Sequence, residues 1–114
     1  MKKFIYNNIE YCIGQTAKEN WELLETLQQE NRDYIWFHLN SFPSPYVIMK
    51  TDLLEIPEQS HSDYLIYGAN LCRDNTKYRN LKDLKVCYTT LKKLKKGNKI
   101  GDVIIKGKTG IIKL

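Results

Sequence analysis

At 114 residues the chain is long enough for one independently folding core and too short for two. Its 42% hydrophobic and 27% charged residues exclude a disordered chain. No apolar run reaches the roughly 18 residues of a membrane-spanning helix. The net charge of +5 conceals a strong asymmetry. Residues 1–66 carry 5 basic and 10 acidic side chains (net −5), whereas residues 67–114 carry 13 basic and 3 acidic ones (net +10). A basic half of this strength points to a polyanionic partner, above all nucleic acid. Lysines outnumber arginines 15 to 3, a bias that an AT-rich genome also produces, so the clustering carries the argument and the count does not.

In chain order, Lys3–Tyr6 and Ile9–Ile13 are β-branched and aromatic runs around Asn7-Asn8. Asparagine tolerates positive φ, so this segment predicts a hairpin, which Gly14 ends. Thr16 with Glu19 three residues on forms a capping box, and Leu23 and Leu27 follow at helical spacing, predicting a helix over 17–28. Tyr34–Leu39 reads as a dense aromatic strand. Pro43 and Pro45 interrupt the pairing, and Tyr46–Met49 resumes it. Pro57 opens a second predicted helix, over 57–76, with Tyr64, Gly68, Leu71, Cys72 and Asn75 on one stripe. Leu84–Tyr88 is a further strand and Leu91–Lys99 a basic connection. Asp102–Lys106 and Thr109–Leu114 are predicted to form a second hairpin around Gly107-Lys108. The succession β-β-α-β-β-α-β-β-β predicts an α+β fold: a single domain over 1–114, mostly an antiparallel β-sheet with two helices packed on it.

Cys12, Cys72 and Cys87 form no CxxC pair, and with only two histidines no zinc pattern can be written. They are expected as small buried residues of a cytoplasmic protein. The N-terminus lacks the apolar stretch and cleavage site of a secretory signal. Neither a GxxxxGK[ST] nor a GxGxxG loop occurs, and no serine or cysteine at readable spacing completes a triad with His38. Glu19, Glu22, Glu25 and Glu30 read as the solvated face of the first helix, and His61 as an exposed residue at the start of the second. No enzyme activity, cofactor or metal is expected.

Two basic clusters carry the binding signal. Lys92, Lys93, Lys95, Lys96 and Lys99 crowd into eight positions with no acid among them, as mobile point charges suited to phosphates. Arg73, Lys77, Arg79, Lys82 and Lys85 form the second. The helix macrodipole accounts for Arg73 and Lys77 but not for those beyond the helix. Asn75, Tyr78 and Asn80 lie between these charges and offer hydrogen bonds and a stacking face. In the aromatic strand Trp36 and His38 share one side, and Ile35, Phe37 and Leu39 the other. Core packing suits Trp36 and Phe37 better than a base-stacking platform.

Four stretches together resemble a known family: Ile13–Asn20, Asp33–His38 with Pro43–Ile48, Ala69–Cys72, and Val86–Thr89 leading into Lys92-Lys93 and Gly101–Val103. The chain resembles the NFACT-R domain, the RNA-binding domain of ribosome-quality-control factors of the NEMF/RqcH type, over nearly its whole length and in the same order. The resemblance implies a noncatalytic module whose partners are tRNA or ribosomal RNA and the large ribosomal subunit; from charge and hydropathy, DNA is expected only as a general polyanion and no membrane partner is expected. It carries over Lys18, Asn20, Trp36, His38, Lys92 and Lys93 as binding positions. Two departures stand out: Gly14-Gln15-Thr16 replaces the family's Gly-Arg-Asn, and Pro43-Ser44-Pro45-Tyr46-Val47 replaces Pro-Gly-Ser-His-Val. If the second turn belongs to the ligand surface, binding is altered or moves toward the C-terminal lysines. The other reading is a protein-interaction adaptor docking on a ribosomal protein or translation factor, since the acidic half would repel RNA.

Overall fold

In a computed structural model describing residues 1–114, the chain forms β1 (Lys2–Tyr6), β2 (Ile9–Gly14), α1 (Ala17–Glu30), β3 (Ile35–Leu39) and β4 (Tyr46–Met49). It continues as α2 (His61–Asp74), β5 (Lys85–Thr90), β6 (Leu94–Lys96), β7 (Val103–Ile105) and β8 (Gly110–Lys113). Six strands make one antiparallel sheet in the order β1-β2-β4-β3-β5-β8, and β6 and β7 form a separate two-stranded ribbon. This is the α+β architecture expected.

The first hairpin turns where expected, with Asn7 and Asn8 at φ 47° and 67°. At the start of α1 the Glu19 N–H donates to Thr16 Oγ1 at 3.1 Å, and Glu19 Oε1 accepts from the Gln15 N–H at 3.1 Å. The helix runs beyond the predicted end to Glu30, and the Asn31 N–H still reaches Leu27 O at 3.0 Å. The second helix is shorter than predicted. Two 3-10 turns, Leu53–Glu55 and Glu58–Ser60, precede it, so Pro57 caps a 3-10 turn and α2 begins at His61. His61 is not a free surface residue. Its Nε2 lies 2.7 Å from Leu53 O and 2.9 Å from Ile56 O. Carbonyls only accept, so Nε2 carries the proton and ties the turns to α2.

The period-two pattern of β3 sends side chains into two separate cores. Ile35, Phe37 and Leu39 meet Val47, Met49, Leu65 and Ala69 under α2. Trp36 meets Leu23, Leu24 and Leu27 of α1, with Ile48, Cys87 and Leu94. The helices therefore lie on opposite faces of the sheet. Gly68 permits the close approach of α2: a Cβ there would stand 2.4 Å from Phe37 Cζ.

The C-terminal hairpin expected around Gly107-Lys108 does not form. β7 pairs with β6 (Leu94 opposite Ile105), and β8 pairs with β5 (Lys85 opposite Lys113). Tertiary contacts choose this pairing. The Trp21 Nε1–H donates to Asp102 O at 2.8 Å, the Tyr46 hydroxyl donates to Gly101 O, and Gln28 Nε2 donates to Leu91 O at 2.9 Å and Leu94 O at 3.0 Å. The Trp21 and Gln28 bonds hold the ribbon against α1, and the Tyr46 bond holds it to β4. Gly107, at φ 80°, then lets the chain leave the ribbon and join the edge of the large sheet.

Candidate nucleic-acid interface

The run Leu91–Lys99 is not an open loop but a 3-10 turn followed by β6, and the ribbon sorts its lysines. Lys92 Nζ lies 2.9 Å from Asp33 Oδ1, which raises the lysine above its ordinary range. Lys96 pairs with Glu25 and sits 5.0 Å above the Trp21 ring. Both are absorbed by α1 and the turn after it. Lys93, Lys95 and Lys99 have no acidic partner.

Alternation along the ribbon explains the division. Leu94 is buried in the core under α1, so its neighbour Lys95, opposite Ile104, projects outward. One pair further along, the Lys106 N–H donates to Lys93 O at 2.7 Å, which sets Lys93 and Lys106 across from one another. Lys106 was not among the residues read from the sequence, because β7 was expected to pair with β8. The signal was the turn chemistry of Gly97-Asn98 and Gly101-Asp102, which brackets a hairpin between Lys96 and Val103. Like charges directly opposite on a ribbon are unfavourable by themselves. Lys93, Lys95 and Lys106 form an outer face that an anion would stabilise.

The second basic cluster gathers beside the start of β5. Arg73, Arg79 and Lys82 line a depression of about 310 Å³ with Asp83 and Leu114. Arg73 Nε is 3.1 Å from Asp74 Oδ1, so part of its charge is offset locally. Lys82 and Lys85 line the adjoining depression, of about 330 Å³, together with Ser41 and Phe42. Lys77 is exposed, with Nζ 5.3 Å from the centroid of the Tyr78 ring. Tyr78 itself stacks on Phe42, ring centroids 4.6 Å apart. Asn75 donates to Leu71 O at 2.8 Å and so serves the end of α2.

Among the positions transferred by resemblance, Lys18 is exposed and 3.9 Å from Glu22. Two others are corrected. Asn20 is 7% exposed, and its Oδ1 accepts the Tyr46 N–H at 3.1 Å, so it joins α1 to β4 and does not face a ligand. Trp36 is 1% exposed and packs in the core beneath α1, so its ring offers no face for a base to stack on. The departure at Tyr46 also falls on a structural residue: it is buried, and its hydroxyl anchors the ribbon.

His38 is half-buried, stacked on Trp36 with centroids 5.4 Å apart and 11° between planes. Its Nδ1 lies 2.7 Å from Leu39 O and must carry the proton, since that oxygen can only accept. Burial holds its pKa below the ordinary 6.5, so the ring is neutral and Nε2 is a lone-pair acceptor. Trp36 and His38 line a cleft of about 510 Å³ between the Asn40–Pro43 segment and the ribbon residues Gly101–Val103. Ser41 and Phe42 belong to both this cleft and the Lys82–Lys85 depression, which shares Lys82–Leu84 with the arginine depression. The cleft beside His38 and the second basic cluster thus lie next to one another, with Ser41 and Phe42 between them.

No group of three or more His, Cys, Asp or Glu side chains is placed to hold a metal ion. All three cysteines are buried; burial raises each thiol, Cys72 to about 12, so none is a thiolate at neutral pH. No helix is long and apolar enough to cross a membrane.

No protein-family model matches the chain, and no curated protein matches it. Among solved structures it is similar to the C-terminal part of the fibronectin/fibrinogen-binding protein from Streptococcus suis, with a TM-score of 0.77 and 23% sequence identity. That alignment covers 98% of this chain and 43% of the other, so the chain spans less than half of its structural relative. At this identity the likeness shows a shared fold.

Proposed function

We propose that the chain is a noncatalytic RNA-binding module of the cytoplasm, holding tRNA or ribosomal RNA mainly through phosphates, in translation or ribosome-associated quality control. The observation that carries this reading is the outer face of the ribbon, where Lys93, Lys95 and Lys106 stand together without an acidic partner. The resemblance to NFACT-R domains supports it independently. So does the ribbon's anchoring, which holds mobile lysine side chains on a rigid backbone.

The acidic half does not oppose this reading as its net charge implies. Two of its carboxylates, Glu25 and Asp33, are met by Lys96 and Lys92 of the basic half. Binding to tRNA, to single-stranded RNA and to duplex DNA of equal charge, each titrated with salt, tests the proposal. Each neutralised phosphate contributes about −0.7 to −0.9 to the slope of log K against log salt. A preference for tRNA with a slope steeper than about −2 is expected. Equal affinity for all three polymers reduces the assignment to a general polyanion surface. No binding at moderate salt overturns it in favour of a protein adaptor, whose partner would stay bound after nuclease treatment.

A further inference from the structure

We infer that the cleft beside His38 is a subsite for one unpaired nucleobase, with the phosphate next to it held by Lys82 and Lys85. This inference rests on the RNA-binding reading and gives the cleft a task distinct from that of the ribbon. Three observations converge on it. The volume of about 510 Å³ falls within the ~300–1,000 Å³ of small-molecule sites. The depression that holds Lys82 and Lys85 adjoins this cleft, sharing Ser41 and Phe42 with it, so a base in the cleft would have lysines beside it for its phosphate.

The third observation is a donor and an acceptor left unused on one strand. Trp36 lines the cleft, and its indole Nε1–H is buried with no hydrogen-bond partner. An unpaired buried donor is costly, so few survive in folded proteins without a ligand or water to meet them. Two residues on, His38 Nε2 makes no hydrogen bond within the protein and has a free lone pair. Each nucleobase presents hydrogen-bond donors and acceptors on its edges, and unstacked bases are read in this manner, by edge contacts combined with stacking. The apolar contact comes from Phe42, which is 37% exposed, lines both the cleft and the lysine depression, and is stacked on Tyr78. Asp83 also lies in the lysine depression but has no place in the cleft, so the cleft itself presents Asp102 as its single acidic side chain.

The test compares RNA tetramers of adenosine or of uridine with an abasic tetramer carrying the same phosphates, following the Trp36 indole and His38 imidazole by ¹H–¹⁵N NMR. The base-bearing tetramers are expected to bind about fivefold or more tightly than the abasic one and to shift both signals. His38→Phe keeps a ring but loses the acceptor, and Thr109→Leu narrows the cleft from its rim without touching the core. Either variant should lose the preference for bases while keeping affinity for the abasic tetramer. Equal affinities with an unmoved Trp36 signal overturn the subsite and leave phosphate binding standing. Should no tetramer bind, the RNA reading fails, and free adenosine and uridine then decide the subsite: a saturable Trp36 shift retains it, and its absence overturns it.

Discussion

The two faces of the large sheet are covered in different ways. On one, α2 lies so close that Gly68 has no room for a Cβ against Phe37, and the face is sealed. On the other, α1 covers part of the sheet with Leu23, Leu24 and Leu27, and the β6–β7 ribbon covers the rest through Leu94 and Val103. A ribbon three residues long on each strand cannot seal the surface it spans, and the cleft at His38 is what remains. The comparison teaches that one face is built for stability, while the other spends part of its packing to hold cations and a recess at fixed positions.

The largest effect should come from the sealed face. Phe37→Ala removes a fully buried ring and is expected to destabilise the fold by about 3–5 kcal/mol in urea unfolding. Gly68→Ala forces a methyl into the same ring and should cost about 1–3 kcal/mol, although alanine is the better helix former. If Gly68→Ala were neutral, the two faces would not differ in tightness. On the open face the effect moves from folding to binding. Replacing Lys93, Lys95 and Lys106 together with glutamine should weaken tRNA binding about tenfold or more near physiological salt, flatten the salt slope by about 2, and leave the unfolding curve unchanged. The matched double variant Lys92→Gln/Lys96→Gln should change affinity much less, because Asp33 and Glu25 already hold those charges. Equal losses in the two variants would erase the distinction between outer and inner lysines.

The smallest effect concerns pH. His38 has a folded pKa below 6.5, lowered by burial, so the unfolded chain takes up this proton first as pH falls. Its contribution is constant above about pH 6.5, and stability is lost as the pH drops from there through the folded value. Asp102 is the one acidic side chain that lines the cleft with His38, and no basic side chain lines it. Unfolding measured between about pH 7.5 and pH 5 should show a loss that is absent from His38→Phe. A variant as pH-sensitive as the parent would remove His38 as the source.

Much of the fold was legible because it depends on local chemistry. Asn7-Asn8, the Thr16–Glu19 cap and the alternation in Ile35–Leu39 each specify their own structure within a few residues. Pro57 misled, because proline suits the first turn of any helix and the Leu53 to Ser60 segment chose 3-10 turns ahead of α2. The candidate site was legible only as a list of lysines. Nothing within Leu91–Lys99 distinguishes Lys95 from Lys96; the difference is that Glu25 waits on α1, far away in sequence. Asn20 likewise has the composition of a binding site and the surroundings of a core.

The amino-acid sequence by itself determined the α+β class, both helices, the first hairpin and the basic character of the second half, since propensity, capping and charge are short-range properties. The tertiary structure decided which strand β7 joined, which lysines remained free and that a recess opened beside His38. Those outcomes turn on hydrogen bonds from Trp21, Gln28 and Tyr46 to a backbone more than fifty residues away. No local pattern encodes such contacts, because each exists only once the two cores have placed α1 against the sheet.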